Sequence, residues 1–147
     1  MDATLSTLFA PPRLHTLSLS ALHIVMATRM CALCNIGGEA PLPLLAQRIN
    51  SETAARAILD LVAAVGDAWA EPFMVGRPCC PVLTADEAAI AVLVSAAQIG
   101  DEPTGLASLR ELLPPSVCVD LYRLAQRAVV AVAPLSIARA VSRAPNA

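Results

Sequence analysis

The sequence predicts an all-α fold, a single-domain irregular or orthogonal bundle of five to seven helices. Three observations predict it. Apolar residues recur at intervals of three and four positions, which is the spacing of one face of an α-helix. Proline, glycine and capping residues divide these periodic segments from one another. The chain has 147 residues, a length that suits one domain with a single core.

The predicted helical domain covers residues 14–142. An N-terminal arm, residues 1–13, precedes it, because this stretch contains Pro11-Pro12 and has no sustained periodicity. A C-terminal tail, residues 143–147, follows it.

The first two helices are marked mainly by their ends. The first is predicted to run from Leu14 to Gly37-Gly38, since glycine adopts the left-handed conformation that closes many helices. Pro41 opens a second, short helix that reaches Ile49, because proline suits the first turn of a helix.

The third predicted helix is the clearest amphipathic one. Asn50 or Ser51 is its predicted N-cap, and Glu71-Pro72 ends it. Residues 72–81 contain three prolines and one glycine, so they predict an irregular connector. The apolar stripe of the helix consists of Ile58, Leu61, Val62, Val65 and Trp69.

A capping box predicts the start of the fourth helix. The hydroxyl of Thr84 is placed to accept the backbone N–H of Glu87, whose carboxylate is placed to accept the N–H of Thr84. Residues 88–97 are apolar nearly all round, which predicts a helix surrounded by neighbours at the centre of the bundle.

The last third of the chain predicts a turn at residues 101–104, a short helix at 105–113 and a longer one after Pro114-Pro115, with Ser116 as its N-cap. Proline lacks the backbone N–H, so Pro134 is predicted to interrupt that helix and leave a final short one from 135 to about 141. The predicted core stripe of the longer helix is Val117, Leu121, Leu124, Ala128 and Val132.

The composition limits the function classes. Hydrophobic residues make up 56% of the chain and charged residues 15%, against roughly 45–50% and about 25% in typical domains. Part of the surface is therefore expected to be covered by a protein partner or by self-association as a homodimer. The net charge of −2 argues against binding to nucleic acid or to an anionic membrane.

A cytoplasmic location is predicted. The uncharged stretch of residues 14–28 is too short to span a bilayer, and the first twelve residues lack the basic start of a signal peptide. Thiols stay reduced in the cytoplasm, so the five cysteines argue against a disulfide framework.

The cysteine thiols are the most reactive groups in the sequence. Cys31 and Cys34 are spaced by three positions, and Cys79 and Cys80 are adjacent. These four are the candidate metal ligands, for zinc or an iron–sulfur cluster, if the connector folds against the end of the first helix. Two alternatives remain: all the thiols are small buried apolar groups, or they act in redox sensing or thiol exchange.

The segment from Pro78 to Ala88, PCCPVLTADEA, together with Arg29-Met30 upstream, is similar to a family of short bacterial proteins of uncharacterised function. The similarity covers about the central two thirds of the chain. It implies a helical domain and no known activity.

No set of acid, base and nucleophile stands out in the sequence. The leading hypothesis is therefore a small helical interaction or regulatory module without catalytic activity and without a cofactor. The alternative is a thiolate metal-binding or redox-sensing protein. An enzyme with Cys79 or Cys80 as its nucleophile is a third class.

Overall fold

A computed structural model describes residues 12–143, with the side chains of residues 12–135. The predicted all-α bundle is confirmed. Residues 1–11 of the predicted arm and 144–147 of the predicted tail lie outside this description. In the described part of the chain a 3₁₀ turn, Leu14–Thr16, precedes six helices: α1 (Leu19–Gly37), α2 (Pro41–Ile49), α3 (Glu52–Ala68), α4 (Ala85–Ile99), α5 (Glu102–Ala107) and α6 (Pro115–Arg143).

The first helix begins later than predicted, at Leu19, because the preceding residues pair with a distant part of the chain. Arg13 and Val82 form an isolated antiparallel bridge. The N–H of Leu14 donates to the carbonyl of Pro81 at 2.8 Å. Ser18 then caps α1 by accepting from the N–H of Ala21 at 3.2 Å. The predicted end is confirmed, since Gly38 has a φ of 69° and closes α1.

A two-residue junction separates α2 from α3. Asn50 ends α2 in the left-handed conformation, with a φ of 55°. Ser51 is the N-cap of α3 and accepts from the N–H of Ala54 at 3.1 Å. Trp69 lies just beyond α3, where it packs edge-to-face on Phe73 with ring centroids 5.1 Å apart. We call residues 69–84, between α3 and α4, the connector.

The C-terminal third differs from the prediction in three places. The last helix begins at Pro115, so Ser116 lies within it and is not its N-cap. The short helix α5 starts at Glu102 with Asp101 as its N-cap, earlier than predicted, because the Asp101 side chain accepts from the N–H of Thr104. Pro134 does not interrupt the last helix, and α6 continues through it to Arg143. The side chain of Pro134 is exposed.

The core lies where α6 packs on α3 and α4, and α1 also packs on α4. Close packing is visible at Gly105, where an added Cβ would lie 2.7 Å from the ring of Tyr122. The most deeply buried apolar side chains include Ile24, Ile58, Leu61, Leu93, Leu109 and Leu121.

The prediction that α4 is surrounded on all sides is wrong. One side of α4 packs on α1, α5 and α6, but Val92 is 44% exposed and Ile99 is 77% exposed. The helix lies at the edge of the bundle, with apolar residues on both its inner and its outer side.

Candidate functional site: the Arg29 network and the outer face of α4

Arg29 is the only charged residue of α1, and it is buried. Its side chain has no solvent-exposed area and faces Glu87, in the first turn of α4, which is equally buried. Arg29 Nε and Glu87 Oε1 are 2.8 Å apart. A charge pair in such a place is tolerated when hydrogen bonds satisfy every remaining polar atom.

All five N–H groups of the Arg29 guanidinium have acceptors. Nε and one N–H of Nη2 donate to the two carboxylate oxygens of Glu87, at 2.8 and 2.9 Å. Nη1 donates to the carbonyl oxygens of Arg77 at 2.9 Å and Cys80 at 2.7 Å. Nη2 also donates to the carbonyl oxygen of Val82 at 3.1 Å. We call these groups, with Glu87, the Arg29 network.

Glu87 is satisfied just as fully. Its Oε1 also accepts the N–H of Gly76 at 2.8 Å, and its Oε2 accepts the N–H of Thr84 at 2.9 Å. The Thr84 hydroxyl accepts the N–H of Glu87 at 3.1 Å, so the predicted capping box is confirmed. The carboxylate therefore joins the end of the connector, the start of α4 and the middle of α1.

The network fixes the charge states of both groups. The hydrogen bond to Glu87 raises the pKa of Arg29, and its burial opposes this less strongly. Burial alone would raise the pKa of Glu87, but hydrogen bonds from Arg29, Gly76 and Thr84 lower it below the ordinary value. The pair is ionised at neutral pH and has no oxygen atom left to accept a substrate proton.

The connector has its shape because of these contacts. It contains a β-turn at residues 77–80, closed by the N–H of Cys80 and the carbonyl of Arg77 at 3.0 Å. The Thr84 hydroxyl donates to the carbonyl of Met74 at 2.6 Å, and Asp86 accepts the N–H of Met74 at 2.8 Å. At Gly76 an added Cβ would lie 2.6 Å from Arg29 Nη2.

The cysteines fall into two environments. Cys31 and Cys34 on α1 and Cys118 on α6 are buried, as expected for small apolar groups. Burial raises the pKa of Cys31 to about 11, with a smaller contribution from the neighbouring Cys34 thiol. Cys79 is exposed and Cys80 is half-buried, on the turn that Arg29 holds.

The structure does not gather the four predicted ligands, Cys31, Cys34, Cys79 and Cys80, into one site. Within residues 12–143, no group of three or more His, Cys, Asp or Glu side chains is placed to hold a metal ion. Cys31 and Cys34 are enclosed by the core, whereas the Cys79-Cys80 turn is held around Arg29. Zinc or iron–sulfur binding stays a prediction.

The outer face of α4 is the second feature that distinguishes this molecule. Its residues are spaced by three and four positions, and none of them is charged: Ala85, Ala88, Val92, Ser95 and Ile99. All of these except Ala85 line a shallow groove of about 560 Å³, whose further edges include Pro12, Leu17, Leu83, Asp101 and Thr104.

Among the helices of residues 12–143, α1 alone is long and apolar enough to cross a membrane, with a mean hydropathy of 1.4 over its best window. Core helices of globular domains pass the same test. In this structure 44% of that window is buried, and Arg29 within α1 is paired inside the domain. The cytoplasmic location and the absence of a membrane partner stay predictions.

Sequence reasoning missed Arg29 as the centre of the network and explained Glu87 by capping alone. One signal was available: Arg29 is the single charge between Arg13 and Glu39, in a segment otherwise suited to the core. The acceptors could not have been found, since three of them are backbone carbonyls.

Comparison of the chain with protein-family models, with curated proteins and with solved structures gives no match.

Proposed function

We propose that the protein is a small cytoplasmic helical module without catalytic activity, which self-associates through the outer face of α4. The observation that carries this proposal is the lack of charge on an exposed helical face. From Ala88 to Ile99 the helix has no Asp, Glu, Lys or Arg, although Val92, Gln98 and Ile99 are exposed.

The comparison with α3 supports this interpretation. Surface helices normally carry charged residues on the side that faces water. The exposed side of α3 follows this rule, with Glu52, Arg56, Asp60 and Asp67. The outer side of α4 does not follow this rule. Its lack of charge is what we expect of a helix whose outer side is covered by a partner.

The arrangement of the face favours a second copy of the same chain. Val92 and Ile99 lie about 10 Å apart along the helix axis, at 1.5 Å per residue, and Ser95 lies near the midpoint. In an antiparallel pair related by a two-fold axis near Ser95, each Val92 lies opposite the Ile99 of the other copy. The small side chains of Ala88 and Ser95 allow the two helices to approach closely.

The lack of charge on the outer face of α4 also favours a second copy of the chain as the partner. A partner helix with charged residues would bury them against an uncharged face without a counter-ion. A second α4 brings none over the length of the contact, and homodimers with two-fold symmetry are the commonest oligomers of soluble proteins.

The test measures the association state. Sedimentation equilibrium of the full chain over a range of concentrations is expected to show a monomer–dimer equilibrium. The substitution Ile99→Glu is expected to weaken dimerisation on the order of 100-fold or more, because it places an unpaired charge in the contact.

Val130→Glu is the matched control. Val130 is 72% exposed on α6, close to the 77% of Ile99, and its replacement is expected to leave the equilibrium unchanged. A wild-type chain that stays monomeric at every concentration contradicts the proposal, as does a control that weakens the dimer as much as Ile99→Glu.

A further inference from the structure

The Cys79-Cys80 turn combines two thiols with the backbone groups that Arg29 binds. Cys79 occupies the third position of the turn and is exposed. Cys80 is half-buried, and its thiol lies 3.6 Å from the carbonyl oxygen of Val82. The carbonyl of Arg77 accepts both the N–H of Cys80, at 3.0 Å, and Nη1 of Arg29, at 2.9 Å. A change in the peptide between the two cysteines therefore acts directly on the Arg29 network.

We propose that Cys79 and Cys80 form a thiol–disulfide exchange site that reacts with a low-molecular-weight disulfide of the glutathione type. This inference is independent of self-association through α4. It rests on the exposure of one thiol, the partial burial of its neighbour and the fixed turn that holds both.

The reaction takes two exchange steps. The thiolate of Cys79 attacks one sulfur of the small disulfide, so that an S–S bond to Cys79 forms, the original S–S bond breaks and one small thiolate leaves. The thiolate of Cys80 then attacks the Cys79 sulfur, forms the Cys79–Cys80 disulfide and displaces the second small thiolate. The two thiol protons end on the two small thiols, and the small disulfide has been reduced by two electrons.

The geometry makes this disulfide easy to reverse. Adjacent Cα atoms are about 3.8 Å apart across a trans peptide, below the roughly 4.4–6.8 Å that disulfides favour. The bond closes a small ring through the Cys79–Cys80 peptide and distorts it, and strained disulfides are readily reduced. The distortion moves the N–H of Cys80 away from Arg77, so the oxidised connector binds Arg29 less well.

The buried thiols serve as internal references. Cys31 is 7% exposed, and its pKa is raised from 9.0 to about 11. At neutral pH this pKa makes the thiolate fraction of Cys31 about 100-fold lower than that of a thiol with a pKa of 9.0. Because Cys79 is exposed and Cys31 is buried, Cys79 is expected to react faster than Cys31 in the folded chain.

The experiment treats the full-length reduced protein with glutathione disulfide and follows it by mass spectrometry with peptide mapping. Wild type is expected to lose two hydrogen atoms, to retain no glutathione and to carry the new bond between Cys79 and Cys80. The variant Cys80→Ser is expected to stop with one glutathione on Cys79. Cys118→Ser, a change at a buried thiol, is expected to react as wild type does.

A second readout follows the connector itself. Trp69 is the only tryptophan and packs on Phe73 at 5.1 Å, so its emission reports on this region. Oxidation is expected to change the emission of wild type, and reduction to restore it. The proposal is overturned if wild type keeps glutathione on Cys79, if Cys31 reacts as fast as Cys79, or if the emission of the oxidised protein is unchanged.

Discussion

Replacement of Glu87 by glutamine tests the energetic role of the Arg29 network. The variant keeps the size of the side chain but leaves the guanidinium of Arg29, which has no exposed area, without a counter-ion. The amide also offers an NH₂ group where the carboxylate accepted N–H groups of Gly76 or Thr84. Removing one partner of a buried pair costs about 3–5 kcal/mol, a large part of the roughly 5–15 kcal/mol that stabilises a typical domain.

The assay is urea denaturation at pH 7, followed by far-UV circular dichroism, with Glu52→Gln as the control. Glu52 pairs with Arg56 at 2.7 Å, but the two side chains are 65% and 61% exposed, and such pairs contribute about 0–1 kcal/mol. Equal losses of unfolding free energy in the two variants, both below about 1 kcal/mol, would refute the reasoning.

The same pair gives stability a defined pH dependence. Hydrogen bonds from Arg29, Gly76 and Thr84 outweigh burial and hold the pKa of Glu87 below its ordinary value of 4.5 in the folded chain. A carboxyl of this kind stabilises the fold fully above pH 4.5 and loses that contribution as the pH falls through the folded-state pKa. The difference in unfolding free energy between wild type and Glu87→Gln is therefore expected to be largest near neutral pH and to shrink in acid.

Two further substitutions test the packing around the network and the core, each by urea denaturation. Gly76→Ala is expected to cost about 1–3 kcal/mol, because its Cβ would lie 2.6 Å from Arg29 Nη2. Gly37→Ala is the control: apart from its chain neighbours and the backbone of its own helix, an added Cβ meets no atom within 4 Å, so the change is expected to be neutral or stabilising. Tyr122→Phe is expected to leave the free energy of unfolding within about 1 kcal/mol of wild type or to raise it, since its buried hydroxyl has no hydrogen-bond partner among residues 12–135; a loss above about 2 kcal/mol would contradict this.

Local signals in the sequence predicted most of the helices. The capping box at Thr84, the glycine stop at Gly38 and the proline start at Pro41 depend on residues within one helical turn, so the sequence alone was enough. The start of α1 and the path through Pro134 were predicted wrongly. Pairing with Pro81 keeps Leu14 out of α1, and α6 continues past Pro134, a residue type that commonly interrupts a helix.

The candidate sites were harder to predict, because they depend on distant parts of the chain. Arg29 and Glu87 are 58 positions apart, and no local pattern joins them. The alternative that all the thiols are buried apolar groups holds for Cys31, Cys34 and Cys118 but is wrong for Cys79, which is exposed. The outer face of α4 could be recognised as apolar, but the sequence could not show that this side of the helix reaches the surface.

The five acceptors around Arg29 also explain why this position requires a guanidinium. A lysine ammonium has only three N–H groups and one nitrogen atom. In place of Arg29 it could make at most three of the five hydrogen bonds to Glu87, Arg77, Cys80 and Val82, so two of them would be lost at a fully buried position. All ten Lys or Arg positions of the chain are arginine. At the buried position 29 this matters, because only arginine has enough N–H groups for the five acceptors.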